Sequence, residues 1–192
     1  MRRASSDEVT RVAEVLKRAF AGEPIQRWCM ACDDPVELIG LEFLEAARQL
    51  AAGGFLWVTE DLSGAAGWFP PGADYDEEAI DAVVSAALVS RGGRAEPRAG
   101  FWQWVEDNRP STRHWYLDLL GVEPERQGTG LGRFLLKEGL ARVDALAEAV
   151  FLVTDDRHNA AWYERHGFSI QSAERSPENG PMVWFMYRPP RL

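Results

Sequence analysis

The sequence has little cysteine, no long apolar run and no basic cluster, and each shortage excludes a class of protein. Its only cysteines, Cys29 and Cys32, form one C-x-x-C with no second pair and no spaced histidines. We therefore expect no metal site, and two reduced thiols that have a packing role at most. No stretch approaches the roughly 20 uninterrupted apolar residues of a membrane span. The residues after Met1-Arg2-Arg3 are polar and lack the apolar segment of an export signal, so we expect a cytoplasmic protein.

The charge balance argues against nucleic acid as a partner. Thirty acidic residues against 21 basic ones give a formal net charge of -9, and no group of arginines or lysines stands clear of acidic neighbours. Binding to a phosphate backbone normally requires such a group. An acidic surface favours cationic small molecules or peptides, but it is equally explained by solubility. With 192 residues and 46% hydrophobic side chains, the chain fits one domain spanning residues 1–192.

The first half of the sequence predicts helices and one β-hairpin. Ser5 to Glu8 has the S-x-x-E pattern of a capping box and precedes an amphipathic helix over residues 9–20. A loop through Trp28 and the cysteines should lead to a second helix after Asp34-Pro35. Residues 55–60 and 65–69 flank a turn and predict the hairpin. A helical insert over about residues 74–109 follows.

The second half predicts a βαβ unit. A nearly continuous apolar strand over residues 115–122 is followed by a glycine cluster, a helix with apolar residues from Leu131 to Ala147, and a strand over residues 151–154. This spacing predicts a right-handed crossover and two parallel strands. The fold class is therefore α/β (α+β), with a mixed central sheet, flanking helices and the helical insert.

The glycine cluster that follows the central strand is suited to holding a phosphate. Glycines that open a helix place unpaired backbone N–H groups and the positive end of the helix dipole at one point. The dinucleotide spacing G-x-G-x-x-G fails because Arg133 stands where its last glycine is needed, and the Walker spacing also fails. A glycine-rich turn without a ligand remains an alternative.

The segment Gln127-x-x-Gly130-x-Gly132, placed directly after that strand, resembles the acyl-CoA signature Q/R-x-x-G-x-G/A of the GNAT superfamily of N-acetyltransferases. Asn159 with Tyr163-Glu-Arg-His-Gly167-Phe168 resembles the later N…Y-x-x-x-G-F segment of that family. The stretch from His114 to Phe168 is most similar to the puromycin N-acetyltransferase subgroup. The resemblance implies a GNAT fold whose acyl-CoA-binding core spans about residues 114–168, with acetyl-CoA as the acyl donor.

The resemblance also implies a set of site residues. Those expected to bind the cofactor are Leu120, Gly121, Val122, Gln127, Gly128, Thr129, Gly130, Leu131, Gly132, Arg133 and Asn159. Asn159 can alternatively cap the following helix. Tyr163 is expected to protonate the leaving thiolate as a general acid, although an ordinary buried aromatic is the alternative.

Asp118 is the general base that the resemblance implies, because some members of the family carry their base four positions before the residue that matches Val122. Strand alternation places Asp118 on one face with Tyr116, Leu120 and Val122. The alternative is a buried, hydrogen-bonded carboxylate with a structural role. The puromycin-type enzymes carry a glutamate near the acceptor where this sequence has Val153, so base catalysis is left to Asp118, Asp155 or a chain of water molecules. The Trp102 and Trp104 pair of the insert can wall the acceptor pocket or belong to the core.

These features predict an acyltransferase of the EC 2.3.1 class that acetylates the amine of a small molecule. No serine, cysteine or histidine stands in a triad-like arrangement, so we expect direct transfer in a ternary complex. Two alternatives remain: a silent acyl-CoA-binding sensor and a peptide or protein N-acetyltransferase. We expect no nucleic-acid or membrane partner, and a monomer or homodimer.

Overall fold

The computed structural model describes residues 1–30, 32, 34–73, 76–93 and 95–191. The first half contains a short strand and three helices, then the hairpin and two further helices. They are β1 (Arg2–Arg3), α1 (Val9–Phe20), α2 (Pro24–Cys29), α3 (Val36–Ala52), β2 (Leu56–Val58), β3 (Gly64–Phe69), α4 (Glu77–Ser90) and α5 (Glu96–Asp107). The predicted hairpin and the helical insert are thus present, but residues 74, 75 and 94 of the insert lie outside the described residues.

The second half contains the βαβ unit and two more strands. Its elements are β4 (His114–Val122), α6 (Leu131–Asp144), β5 (Ala149–Thr154), α7 (Arg157–Glu164), β6 (Ser169–Arg175) and β7 (Met182–Arg188). The seven strands form one sheet in the order β1-β2-β3-β4-β5-β7-β6. β4 and β5 are parallel, and the other described pairings are antiparallel. The predicted mixed α/β sheet is confirmed.

Two apolar clusters cover the two faces of this sheet. Neighbouring residues of one strand belong to different clusters, as Ala65 and Ala66 of β3 do. The first cluster packs α1 to α5 against one face, and the second packs α6 and α7 against the other. This arrangement follows from the period-two alternation of strand side chains. The helices from the first half and the insert therefore share a single face.

One predicted loop is a helix. The segment through Trp28 and Cys29 forms α2, whose first residue is Pro24. Proline suits this position because its fixed φ is helical and its missing N–H would have no helical partner there. Cys29 is buried and Cys32 is half-buried, and both pack within the first cluster. Pro24 therefore begins a helix that the sequence pattern did not predict.

Candidate active site

The two parallel strands separate along their length and leave an opening between them. β4 pairs with β5 only from His114 to Tyr116, opposite Ala149 to Phe151. From Leu117 to Val122, β4 pairs with β3 on its other edge. A cavity of about 650 Å³ lies at this separation, with both strand ends in its wall. Backbone groups on the open edge of β4 are thus available to an extended ligand.

The glycine turn forms one end of this cavity. Gly128 and Gly130 have φ of +73° and +95°, a region that side chains with a Cβ rarely adopt. The Gln127 amide donates to the Val122 carbonyl at 3.1 Å and closes the turn onto β4. The first bond of α6 is donated by the Phe134 N–H to the Gly130 carbonyl at 2.9 Å. The N–H groups from Gly130 to Arg133 therefore have no helical acceptor and can receive an anionic group.

The structure brings most of the predicted cofactor-binding residues to this cavity. Those in its wall are Leu120, Gly121, Val122, Gln127, Gly128, Gly130, Gly132, Arg133 and Asn159. Thr129 and Leu131 are not part of the wall. The Thr129 hydroxyl donates to the Arg126 carbonyl at 2.6 Å, and Leu131 packs against the second apolar cluster. Both residues therefore stabilise the turn without lining the cavity.

The expectation that Asn159 caps a helix is wrong. α7 begins at Arg157, two residues before Asn159, and its cap is Asp156. The Asp156 carboxylate accepts the His158 N–H at 2.6 Å, as an N-cap residue does. Asn159 thus lies in the first turn of α7 and lines the cavity.

A β-bulge at Asp118 changes which residues share a face of β4. Leu119 pairs with Gly67 and Leu117 pairs with Trp68, so Asp118 has no partner across the ladder. Tyr116 and Leu119 belong to the first apolar cluster, whereas Val122 belongs to the second cluster and Leu120 packs against it. The expectation that Tyr116, Asp118, Leu120 and Val122 face one side is therefore wrong, because the extra residue reverses the alternation.

Asp118 lies in the wall of the cavity, where its charge is disfavoured. Burial raises the pKa of Asp118 to about 7; the positive Arg109 opposes this rise and the negative Glu42 adds to it. Glu42 lies in α3, and Arg109 follows the end of α5. A carboxyl group that titrates near neutrality can accept a proton at physiological pH.

Tyr163 also lines the cavity, from α7. Its ring packs edge-on against Trp162 and Phe168, with centroids 4.9 and 5.5 Å apart. Burial raises the pKa of the phenol above its usual value, and the negative charge of Glu23 adds to the rise. Tyr163 is therefore protonated at neutral pH and can donate its proton.

A carboxyl pair in the same wall is formed by Glu23, which the sequence did not single out, and Asp155. Glu23 precedes the first residue of α2, and Asp155 follows the end of β5. The Asp155 carboxylate accepts the Ile25 N–H at 2.6 Å, which anchors α2 to the end of the strand. Burial, the hydrogen bond to Asp155 and the charges of Asp155 and Asp156 together raise the pKa of Glu23 to about 8. The pair can hold one shared proton.

Further polar residues line the cavity from the helices of the first half. Gln26 of α2 and Glu42 of α3 are 7% and 6% exposed, and Trp102 of α5 lies beside them in the wall. Trp104 instead packs on Phe185, with ring centroids 5.0 Å apart. The insert thus contributes one tryptophan to the cavity and one to the core. Gln26 and Glu42 could not be recognised from the apolar pattern of the sequence, because each is a polar residue on the buried face of its helix.

Comparison with known proteins identifies this arrangement. The acetyltransferase (GNAT) domain family matches residues 52–170, which is more than half of the chain. The chain belongs to the GNAT acetyltransferase family. The matched range contains the separated strands, the glycine turn and Tyr163, and it ends in β6.

Relatives agree with this assignment. The chain is 33% identical over 121 residues to mycothiol acetyltransferase of Salinispora arenicola (strain CNS-205), covering 61% of this chain and 36% of that protein. The chain therefore spans little more than a third of this relative. A Corynebacterium glutamicum structure, described as histone acetyltransferase HPA2 and related acetyltransferase, is 26% identical with a TM-score of 0.71, covering 99% of this chain and 95% of its own.

More distant structures share the fold. The Drosophila melanogaster polyamine N-acetyltransferase has a TM-score of 0.66 at 18% identity, with 98% of both chains covered. None of these relatives is a puromycin enzyme, so the subgroup stays a prediction. Among the described helices, none combines the length and the apolar character that crossing a membrane requires.

Proposed function

We propose that this GNAT protein transfers the acetyl group of acetyl-CoA to the amine of a small molecule, in a ternary complex. The observation that carries the proposal is the shared cavity. The glycine turn with its unused N–H groups, the open edge of β4, the Tyr163 phenol and two sets of carboxyl groups all lie in one wall. A donor thioester and an acceptor amine can therefore meet without a covalent enzyme intermediate.

The donor half of the cavity suits acetyl-CoA. The N–H groups of residues 128–133 bind the pyrophosphate, and the absence of any atom within 4 Å of a Cβ built on Gly128 or Gly130 leaves room for its approach. The open edge from Leu120 to Val122 and the Asn159 side chain bind the pantetheine arm. Acetyl-CoA supplies the acyl group as a thioester. These residues hold its carbonyl towards the acceptor half of the cavity, which is lined by the carboxyl residues Glu23, Glu42, Asp118 and Asp155.

The transfer requires one proton donor and one proton acceptor. The amine nitrogen forms a bond to the thioester carbonyl carbon, and the carbon–sulfur bond breaks with its electron pair going to sulfur. Tyr163 donates its phenolic proton to that sulfur, and solvent reprotonates the phenol. Tyr163 carries this proton before the reaction, because burial raises the pKa of the phenol.

The amine proton goes to a carboxylate. Glu23, held by its hydrogen bond to Asp155, is the base that the structure favours, because its raised pKa makes it a stronger base than an exposed carboxylate. Asp118, the base predicted from the sequence, is the second candidate, with a pKa of about 7. Val153 lies in the same wall and cannot accept a proton.

The test is acetyl-CoA-dependent release of CoA in the presence of aminonucleosides, aminoglycosides, polyamines and short peptides. We expect amine-dependent release by the wild-type protein, and a loss in kcat of about 10²-fold or more in Tyr163→Phe with little change in acetyl-CoA affinity. Tyr187→Phe, outside the cavity wall, is the matched control. Tight acetyl-CoA binding with no turnover on any amine would instead support a silent sensor. Turnover on peptides alone would support a peptide acetyltransferase.

A further inference from the structure

Three buried polar atoms in the wall of the cavity have no hydrogen-bond partner among the described residues. Glu42 Oε2 and Gln26 Oε1 make no hydrogen bond within the part of the chain that the structure describes. Both residues are more than nine-tenths buried, and both line the cavity. Leaving an acceptor without a donor in such a place is costly, so native proteins rarely do it without a ligand or bound water. Glu42 Oε2 and Gln26 Oε1 are acceptors that a donating ligand would satisfy, and the third atom, Trp102 Nε1, is a donor.

The charge around Glu42 is negative. Arg98, fully buried, contacts Glu42 Oε1 at 2.8 Å with one nitrogen and Asp81 Oδ1 at 3.0 Å with another. One cation is therefore shared between two carboxylates. Asp118 adds a third carboxyl group, close enough for Glu42 to raise its pKa. This excess of negative charge favours a cationic donor over a neutral one.

Arg109 does not cancel that excess. Its guanidinium lies 4.1 Å from the centre of the Tyr116 ring, and its Nε lies 2.8 Å from Glu106. Glu106 thus already balances the charge of Arg109. The attraction that Arg109 exerts on Asp118 is outweighed by burial, since the pKa of Asp118 stays raised.

The Glu42 group is separate from the carboxyl pair proposed to act on the reacting amine. The pKa of Glu23 responds to Asp155 and Asp156, whereas that of Asp118 responds to Arg109 and Glu42. Glu23 stands at the start of α2, which Asp155 anchors to the end of β5, whereas Glu42 lies within α3 and is paired with the buried Arg98. The cavity therefore has two acidic positions, one beside Tyr163 and one beside α3.

We propose that Glu42 and Gln26 form a subsite for a second cationic group of the acceptor, so that the preferred acceptors are diamines. One amine is acetylated beside Glu23 and Tyr163, while the other stays charged and donates to Glu42 Oε2 and Gln26 Oε1. This inference rests on the proposed function, since it names the acceptor class of the same site.

The test compares straight-chain α,ω-diamines with 1-aminoalkanes and amino alcohols of the same carbon count. We expect kcat/KM to favour the diamine over the matched monoamine by about tenfold or more at one optimal length, as a charge-assisted hydrogen bond provides. A ratio near one at every length would overturn the proposal. Amino alcohols with the same kcat/KM as the diamines would also overturn it, because the subsite would then not distinguish a charged amine from a neutral hydroxyl.

Variants locate the effect. Glu42→Gln should bring the diamine-to-monoamine ratio close to one, whereas Glu37→Gln, an exposed change in the same helix, should keep the wild-type ratio. If Glu42→Gln fails to fold because Arg98 loses a partner, Gln26→Leu removes the other acceptor without touching Arg98, and the ratio should fall severalfold. A wild-type ratio in Glu42→Gln, or in Gln26→Leu where Glu42→Gln does not fold, would overturn the proposal.

Equilibrium binding separates this proposal from the proposed reaction. Calorimetry with the same amines, in the presence of CoA, reports on the subsite without turnover. Tighter binding of the diamine with no acetylation of any amine would keep the subsite and overturn the reaction. Acetylation of monoamines and diamines at equal rates and with equal affinities would keep the reaction and overturn the subsite.

Discussion

The pH dependence of acetyl transfer tests whether Glu23 is the base. A base must be deprotonated to act, so kcat/KM should rise as the pH rises through its pKa. With a pKa of about 8 for Glu23, about a tenth of the protein carries the base form at pH 7. We therefore expect a rising limb with an apparent pKa near 8, which belongs to the Glu23 and Asp155 pair together.

Asp155→Asn should move this limb to lower pH. The asparagine keeps an oxygen that can accept the Ile25 N–H, but it removes the negative charge that raises the pKa of Glu23. A fall of about one unit or more would increase the base form at pH 7 by up to about tenfold. Glu23→Gln removes the base itself and should lower kcat/KM by about 10²- to 10⁴-fold.

The assay follows CoA release with a thiol reagent, after subtraction of the signal from Cys29 and Cys32. An arylamine acceptor is used, because its amine is already neutral over the whole range and adds no rising limb of its own. An unmoved limb in Asp155→Asn would refute the role of Glu23. A limb near pH 7 that disappears in Asp118→Asn would assign the base to Asp118, whose pKa is about 7.

Two further predictions concern the donor site and the buried charges. Gly130→Ala places a Cβ on a residue with φ of +95°, a strain of about 1–2 kcal/mol that the free protein relieves by reshaping the turn and must restore to bind, so calorimetry should show acetyl-CoA binding weakened about 5- to 30-fold. Gly100→Ala, on an open face of α5, is its control, and equal affinity in both variants would contradict the prediction. Arg98→Met leaves Glu42 and Asp81 without their shared cation and should cost about 3–5 kcal/mol in urea unfolding. Arg98→Met combined with Glu42→Gln should recover part of that loss, and a single-variant loss below about 1 kcal/mol would argue against the buried pairing.

Features with a local cause could be predicted from the sequence. The turn could be recognised from its glycines, because Gly128 and Gly130 adopt positive φ and few residues other than glycine do so. The parallel pairing of β4 and β5 follows from the lengths of two apolar runs and the helix between them. Tyr163 and Asp118 were placed by motif and strand position, and the structure puts both in one cavity wall.

Other features depended on the three-dimensional arrangement. The bulge at Asp118 places Val122 on the opposite face of β4 from Tyr116, and nothing in the local apolar pattern marks an inserted residue. α2 was predicted as a loop because a helix of six residues, fewer than two turns, carries too little periodicity to be recognised.

The sequence by itself determined the βαβ unit, the glycine turn and the family resemblance, since each depends on residues close together in the chain. Only the tertiary structure paired Glu23 with Asp155 and brought Glu42 towards Asp118. The carboxyl groups of each pair are distant in sequence, and packing of the helices against the strand ends brings them together. Their pKa values are set by that burial and proximity, and neither quantity is a property of a residue in the sequence.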